Sequence, residues 1–411
     1  MDKAFLEKYA AFAVQIGVGV QKGQTLIINC PVDAAFFGRI CAEEAYKAGA
    51  KDVVIHYNDE KLSRTRLENA DVETLGDVKP WVLRSYLDYV ESEGGACALN
   101  IASADPEIFK GVDGKKVEVA NIARRNALKP YREYTMSDRI QWSIVAVPSP
   151  AWATKVFPDV SEDEAMQKLW DSIFSVTRMN EADPVAAWTK HIEEMEKHAD
   201  FLNKEPFNAI RITSKNGTNL TVGLADDHVW ETARAHTQDG YFFLPNIPTE
   251  EIFTAPHKDK VNGIVYSTKP YVYNGNIIKS FSVTFEDGKV VAHTAEQGEE
   301  FLTSLLGTDE GARHIGEIAL VPYSSPINQT GLLFFSTLFD ENASCHMAFG
   351  AGYPGTVKGG ANMTREELAA KGVNDSLVHD DVMIGAEDTD IFGLYEDGRE
   401  IQLFKNGEWA F

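Results

Sequence analysis

The sequence contains little cysteine, and the cysteines it has are scattered. Its 411 residues include only Cys30, Cys41, Cys97 and Cys345, and no two of them form a C-x-x-C pair. The chain therefore encodes neither a disulfide framework nor a zinc site built from thiolates. Any metal ion that it binds must be held by carboxylates and imidazoles.

Long apolar runs and targeting signals are also missing. No apolar stretch reaches the roughly 18–20 residues that a membrane-spanning helix requires. The N-terminal segment carries Asp2 and Glu7 and has no small-residue cleavage site, so it indicates an amphipathic helix and not a signal peptide. We expect a cytoplasmic protein without a membrane partner.

Positive charge is scarce. The chain has 39 Lys and Arg against 62 Asp and Glu, which gives a formal net charge of −23. Because such a chain repels nucleic acids and acidic membrane surfaces, neither is expected as a partner. The acidic balance instead favours cationic ligands, including metal ions and free N-terminal amines.

Common catalytic motifs are absent as well. The sequence has no P-loop and no H-E-x-x-H, which excludes the usual helical zinc-protease signature. Gly350–Gly355 matches G-x-G-x-x-G, but Pro354 stands where the helix should begin and no strand–helix–strand pattern surrounds it. A dinucleotide site is therefore not predicted.

The length of the chain predicts two domains, which we place at residues 1–185 and 186–411. In the first, β-rich runs predict strands at Thr25–Asn29, Asp52–Tyr57, Ala96–Ile101 and Trp142–Val147. Helical spacing between them predicts helices at Asp33–Ala48, Val82–Glu93 and Lys115–Asn126. Strand–helix–strand units of this length favour an α/β domain with a mostly parallel sheet.

The second domain has a different pattern. Helical patterns at Glu162–Ser175 and Asp183–Asn203 fill the junction, and Glu299–Leu306 predicts a later helix. Alternating runs flank the pairs Asn216-Gly217, Asp287-Gly288 and Asp397-Gly398, which are hairpin signals. We expect a mixed, β-rich α+β domain that carries the metal site.

Four segments of this domain concentrate metal-binding side chains. They are NIPTEEIFTAPH (246–257), ARHIGEIALVP (312–322), FDENASCHMAFGAGYPG (339–355) and SLVHDDVMIG (376–385). In a strand, residues i and i+2 share a face, so His379 and Asp381 can chelate one ion. Glu317 enters an apolar run, where a metal ion would offset the cost of burying its charge.

Each of these signals is weak when it is taken alone. The pair His379 and Asp381 also fits a solvated strand end, and Glu250 with Glu251 fits an exposed acidic loop. His346 also fits a hydrogen-bonded core histidine. These structural alternatives stay open for each segment by itself.

Taken together and in this order, NIPTEEIFTAPH, GEIALVP, FDENASCH followed by GYPG, and HDDVMIG resemble the family of aminopeptidase T, aminopeptidase S and the PepS enzymes. The resemblance covers nearly the whole chain and looks nearest to the PepS and aminopeptidase S branch. It implies a broad-specificity metal-dependent aminopeptidase with two divalent ions per subunit, which are zinc, cobalt or manganese. It also implies peptide substrates with a free N-terminus and a homodimer.

The resemblance further implies which residues form the site. The expected metal ligands are Glu251, Glu317, His346, His379 and Asp381, with Glu341 as a less certain sixth. Tyr353 belongs to the same site. We expect Glu317 to bridge the two ions and a metal-bridged water to be the nucleophile. Our hypothesis makes Glu250 the general base and Tyr353 a hydrogen-bond donor to the oxyanion.

Other roles and functions stay open. Asp340 or Glu341 could hold the substrate amine, while Arg313 and His314 could contact the peptide or simply lie at the surface. A metal-independent glycosidase would use two carboxylates such as Glu251 and Glu317, which leaves the histidines unexplained. A non-catalytic protein that binds a metal or a small ligand is the third alternative.

Overall fold

The computed structural model describes residues 3–411. It contains two compact units: one comprises the described chain up to His191 with Arg234–Pro248, and the other comprises Ile192–Ala233 with Thr249–Phe411. A domain boundary at residue 185 stays a prediction. Among residues 3–411, none of the helices combines the length and hydrophobicity needed to cross a bilayer.

The first unit is α/β, as predicted. Its main strands are β1 (Thr25–Pro31), β2 (Asp52–Asn58), β3 (Ala96–Ala102) and β4 (Trp142–Ala146). The helices that begin before the second unit are α1 (Lys3–Phe12), α2 (Ala35–Ala48), α3 (Glu60–Asn69), α4 (Val72–Gly76), α5 (Trp81–Val90), α6 (Gly114–Met136), α7 (Pro150–Val156), α8 (Glu162–Val176) and α9 (Pro184–Lys204). The strands pair in the order β2-β1-β3-β4, and every pairing is parallel.

Apolar burial explains why these segments form a parallel sheet. Leu26, Ile27 and Ile28 of β1 are all fully buried, as expected for a central strand covered on both faces. Ile27 belongs to a core cluster with Tyr86 of α5 and Tyr131 of α6. The helices thus pack their apolar faces against the sheet.

Helix α6 differs from the prediction. The expected helix ended at Asn126, four residues before Pro130, but the observed helix continues to Met136 with Pro130 inside it. A proline in a helix removes one backbone hydrogen bond. The packing of Tyr131 on Tyr86, with ring centroids 4.5 Å apart, stabilises the part of the helix that follows the proline.

The remaining elements follow in chain order. The strands are β5 (Ala209–Thr213), β6 (Asn219–Leu224), β7 (Ala235–His236), β8 (Phe242–Phe243), β9 (Ile252–Thr254), β10 (Pro256–Tyr266), β11 (Tyr271–Tyr273), β12 (Asn276–Glu286), β13 (Lys289–Gln297), β14 (Ile315–Leu320), β15 (His346–Gly350), β16 (His379–Met383), β17 (Asp390–Leu394), β18 (Glu400–Lys405) and β19 (Glu408–Trp409). The helices are α10 (Glu299–Leu306), α11 (Pro326–Gln329), α12 (Thr337–Asp340) and α13 (Arg365–Ala370). The short pair of β7 and β8 belongs to the first unit.

The second unit is β-rich, as predicted. A nine-stranded antiparallel sheet contains the three predicted hairpins as β5–β6, β12–β13 and β17–β18. A separate four-stranded antiparallel sheet has the order β16-β15-β14-β9. This smaller sheet carries most of the predicted metal ligands.

Candidate metal centre

The strand register brings the predicted ligands onto one face of the four-stranded sheet. Glu317 of β14 pairs with Ala348 of β15, and Ala348 pairs with Asp381 of β16. His346 lies two residues before Ala348, and His379 lies two residues before Asp381. Because side chains two residues apart in a strand share a face, all four functional side chains point the same way.

A bulge in β14 sets this register. The pairing with β15 shifts between Ile315 and Glu317, so Gly316 is the extra residue. A Cβ atom at Gly316 would lie 2.3 Å from the backbone of Ala351, which only glycine avoids. Bulges of this kind re-aim a neighbouring side chain. Here the bulge directs Glu317 toward the ligand face.

Two groups of donor atoms form around Glu317. The first contains Glu251, Glu317 and His346, and the second contains Glu317, His379 and Asp381, with the ligand atoms in each group within 4.8 Å of one another. His346 Nε2 lies 2.9 Å from Glu251 Oε2 and 3.5 Å from Glu317 Oε1. His379 Nε2 lies 3.7 Å from Glu317 Oε2 and 3.5 Å from Asp381 Oδ1. Glu317 thus directs one oxygen to each group.

Backbone carbonyls orient both imidazole rings. His346 Nδ1 lies 3.1 Å from the carbonyl of Ser344, and His379 Nδ1 lies 2.7 Å from the carbonyl of Ala351. Since a carbonyl oxygen can only accept, each Nδ1 carries a proton and donates it. The lone pair of each neutral ring is then on Nε2, the atom that faces the carboxylates.

The charge balance of the cluster fits divalent cations. Glu251, Glu317, Glu341 and Asp381 are each at most 7% exposed, and His346 is fully buried. Among residues 3–411, no Lys or Arg forms an ion pair with these carboxylates. An uncompensated buried carboxylate costs several kcal/mol, so four of them beside two imidazoles need added positive charge.

Two buried atoms also lack the hydrogen bonds that they would normally make. His346 Nε2 and Asp381 Oδ1 are both inaccessible to solvent and have no hydrogen-bond partner in the described part of the chain. Buried polar atoms are rarely left in this state. Each is a lone-pair donor that faces the cluster, which is the arrangement that a metal ion requires.

The metal-free cluster retains protons. Burial raises the pKa of Glu317 to about 7, although the neighbouring imidazoles of His346 and His379 oppose the shift. Burial lowers the pKa of His379, but the effects of Asp381, Glu317 and the Ala351 carbonyl together outweigh it and raise the value to about 10. The pKa of Glu341 is raised well above its usual range by burial and then by the charge of Asp381. Protons thus partly replace the missing positive charge.

Asn342 links the two acidic loops beside the sheet. Its Oδ1 accepts a hydrogen bond from the backbone N–H of Glu250 at 2.7 Å, and its Nδ2 donates to Glu341 Oε1 at 3.3 Å. Glu250 is buried, being only 7% exposed. This contact brings the loop of Glu250 and Glu251 next to Glu341. Neither Glu250 nor Glu341 belongs to the two donor groups.

The remaining predicted residues lie near the centre or are engaged elsewhere. The ring of Tyr353 meets the ring of His379 edge to face, with centroids 4.9 Å apart. Burial, followed by the charge of Glu317, raises the pKa of Tyr353 well above its usual value, so its hydroxyl keeps its proton. Both carboxylate oxygens of Asp340 accept backbone N–H groups, and His314 Nδ1 donates to the carbonyl of Lys258. Asp340 and His314 thus have structural partners.

Sequence reasoning missed two residues of the site. Ala348 lies between Glu317 and Asp381 in the sheet. Its position two residues after His346 is the sequence signal that would have placed it on the ligand face. Asn342 stands beside Glu341 in the FDENASCH segment, but only the fold shows that it contacts Glu250. Both residues shape the cluster without offering it a charged ligand.

Comparison with known proteins agrees with this centre. Residues 2–409 match the family described as thermophilic metalloprotease (M29). The chain is 47% identical over 406 residues to aminopeptidase 2 of Geobacillus stearothermophilus, covering 99% of this chain and 98% of the relative. It is 43% identical over 409 residues to aminopeptidase PepS of Streptococcus thermophilus, with the same coverage. The solved structure of wild-type AmpT from Thermus thermophilus superposes with a TM-score of 0.91 at 40% identity and covers all of both chains. The chain belongs to the thermophilic metalloprotease family M29.

Proposed function

We propose that this protein is an aminopeptidase that uses two divalent ions per subunit to release N-terminal amino acids from peptides. One observation carries the proposal: Glu317 directs each carboxylate oxygen to a separate group of donors. A shared carboxylate of this kind supports a dinuclear centre. Relatives named as aminopeptidases, which match this chain over nearly its full length, support the reaction.

The ligand assignment follows from the two groups. Glu251 and His346 would complete the first ion's ligands, while His379 and Asp381 would complete the second ion's. Carboxylate and imidazole donors suit zinc, cobalt or manganese. When bound, a pair of divalent ions activates water as a nucleophile and polarises the scissile carbonyl.

Side chains of this chain would handle the protons and the substrate. Glu250 would accept a proton from the attacking water and return it to the leaving amine. Tyr353, protonated and beside His379, would donate a hydrogen bond to the developing oxyanion. Glu341 is the better candidate to receive the substrate amine, because the oxygens of Asp340 are already occupied by backbone N–H groups.

Several finer expectations belong to the same proposal. They are broad specificity for the N-terminal residue, a homodimer and a cytoplasmic location. A glycosidase that uses Glu251 and Glu317 alone is not favoured, because it assigns no role to the two oriented imidazoles. A non-catalytic metal site is not favoured either, because this donor set is rich in carboxylates, whereas structural zinc sites usually are not.

The decisive test combines activity with metal content. Hydrolysis of leucyl-, arginyl- and phenylalanyl-nitroanilides should cease on chelation and return with zinc, cobalt or manganese, while N-blocked substrates should stay intact. In Glu317→Gln, metal content should fall from about two ions to less than about one, and kcat/KM should fall at least roughly 100-fold. The exposed Glu300→Gln is the matched control. Cleavage that survives complete metal removal would refute the metal-dependent mechanism.

A further inference from the structure

A cavity in the second compact unit is lined by none of the proposed metal ligands. Its volume is about 710 Å³, and its walls come from the β5–β6 turn and the segments that follow β10, β14 and β16. Cavities of this size hold small molecules. Its lining includes Lys215 and Lys269, so two ammonium groups meet there.

Lys269 is the most informative of these residues. Its ammonium is partly buried and donates to Asn328 Oδ1, a neutral acceptor, at 3.0 Å. No carboxylate lies within ion-pair distance of it among residues 3–411. An ammonium carries three N–H donors, so two of them lack a protein partner. Asp340 acts on this ammonium electrostatically from beyond ion-pair distance, and both of its oxygens already accept backbone N–H groups. Because a partly buried cation without a direct ion pair destabilises a fold, a role in binding accounts for Lys269 better than a role in stability.

A second lysine adds donors to the same cavity. Lys215 is exposed, and among the described residues its ammonium forms neither a hydrogen bond nor an ion pair. The unused N–H donors of Lys269 and Lys215 suit an anionic group that accepts several hydrogen bonds.

Acidic residues of the cavity limit what that anion can be. Asp388 accepts hydrogen bonds from Ser214 Oγ at 2.7 Å and from the backbone N–H of Lys215 at 3.2 Å. Glu387 also lines the cavity and is exposed. These two negative charges would repel a multiply charged anion such as phosphate. A single carboxylate is tolerated, particularly on a zwitterion whose ammonium can approach Glu387.

We propose that this cavity binds the carboxylate of an amino acid or a short peptide, with Lys269 as its main cationic partner. The inference rests on the proposed peptidase function only for the source of that carboxylate. Gly385, which lines the cavity, follows Asp381 by four residues, which is at most about 14 Å for a fully extended chain. A substrate of about four residues could span that distance. The other source is a free amino acid that binds independently of the metal centre.

A kinetic comparison tests the first source. Tetra-alanine and its C-terminal amide differ only in the carboxylate. The wild-type KM for the acid should be lower than that for the amide by on the order of tenfold, since a charge-assisted hydrogen bond is lost in the amide. In Lys269→Met the ratio of the two KM values should fall to about one, and Lys269→Arg should restore part of it. The exposed Lys279→Met removes the same charge outside the cavity and should keep the wild-type ratio.

A calorimetric titration with leucine and leucinamide tests the second source and does not require turnover. If leucine binds to the wild type and to Lys279→Met but not to Lys269→Met, the site is supported even where the KM ratio is one. That result would identify the free amino acid as the ligand. A protein that cleaves no peptide would refute the proposed function and leave this titration to decide the cavity's role. The proposal is overturned if neither assay distinguishes carboxylate from amide in a way that depends on Lys269.

Thermal unfolding separates binding from structural support. Lys269→Met should melt at or above the wild-type temperature, because methionine replaces a partly buried cation that has no direct ion pair. A lower melting temperature, together with an unchanged ratio of KM values and unchanged leucine binding, would assign Lys269 to the fold and refute the proposal.

Discussion

Ala348 stands directly opposite Glu317 in the pairing of β14 with β15. On its other side it pairs with Asp381, so a single methyl group occupies the sheet between two proposed metal ligands. Neighbouring strands lie about 4.8 Å apart, which leaves room above Ala348 for ions and their ligands. The small side chain of Ala348 is thus a requirement of the proposed metal site.

Replacing Ala348 with leucine should fill that space. We expect Ala348→Leu to lose bound metal and at least about 90% of activity, with a loss of stability of roughly 1–3 kcal/mol from overpacking. Metal analysis and chemical unfolding would measure both effects. Ala348→Ser, which adds only a hydroxyl, is the matched control and should keep its metal. Full metal content in the leucine variant would show that the ions lie elsewhere.

Glu250→Gln tests the proposed general base. The substitution keeps the shape and the backbone contact to Asn342 but removes the proton acceptor. Turnover should fall by roughly 10²- to 10⁴-fold, while metal content measured on the same sample stays at the wild-type value. If metal is lost with the activity, Glu250 is a ligand. An unchanged kcat would remove it from the chemistry.

Tyr353→Phe tests the proposed oxyanion donor. The phenyl ring would keep the edge-to-face contact with His379, so the ligand should remain oriented. We expect kcat to fall by about 100-fold and KM to change little, because the hydroxyl would act mainly in the transition state. Steady-state kinetics with a peptide substrate separates the two parameters. A change in KM alone would instead indicate a role in substrate binding.

Metal affinity should rise with pH. In the metal-free protein, burial raises the pKa of Glu317 to about 7. Burial lowers the pKa of His379, but the surrounding acceptors, chiefly Asp381 and Glu317, together outweigh it and raise that pKa to about 10. Both side chains must lose a proton before they bind a metal, so binding releases protons at neutral pH. Affinity should therefore increase by up to about tenfold per pH unit for each proton displaced.

Competition with a chelator between about pH 6 and about pH 8 would measure this slope. Calorimetry in two buffers of different ionisation enthalpy would count the protons released. Glu300→Gln, outside the site, should give the same slope as the wild type. Affinity that falls as pH rises would contradict the proposed ligand set.

Local sequence patterns predicted much of the fold. Short apolar runs in the first unit and Gly-containing turns in the second are local signals, and the strands and hairpins they predicted are present. The helix through Pro130 was underestimated because tertiary packing of Tyr131 overrides the local penalty of proline.

Local sequence patterns predicted less of the site than of the fold. The spacing of His379 and Asp381 predicts a shared face, but Glu251 and His346 are 95 residues apart in the sequence (346 − 251), and only the strand register brings them together. The bulge at Gly316, which re-aims Glu317, is likewise not predicted by any periodic pattern in the sequence. The resemblance to a known family predicted these ligands, and the fold explains why they lie close together.

The order β16-β15-β14-β9 gives the two donor groups a mechanical role. Glu251, just before edge strand β9, faces one group, and His379 with Asp381 on the opposite edge strand β16 face the other, while Glu317 of the inner strand β14 belongs to both. Two bound ions would therefore fasten both edges of the sheet to its centre. Edge strands open more readily than central ones, so metal loading would protect the backbone amides there from hydrogen exchange. The supply of metal ions would then control the resistance of this sheet to proteolysis as well as the rate of the proposed reaction.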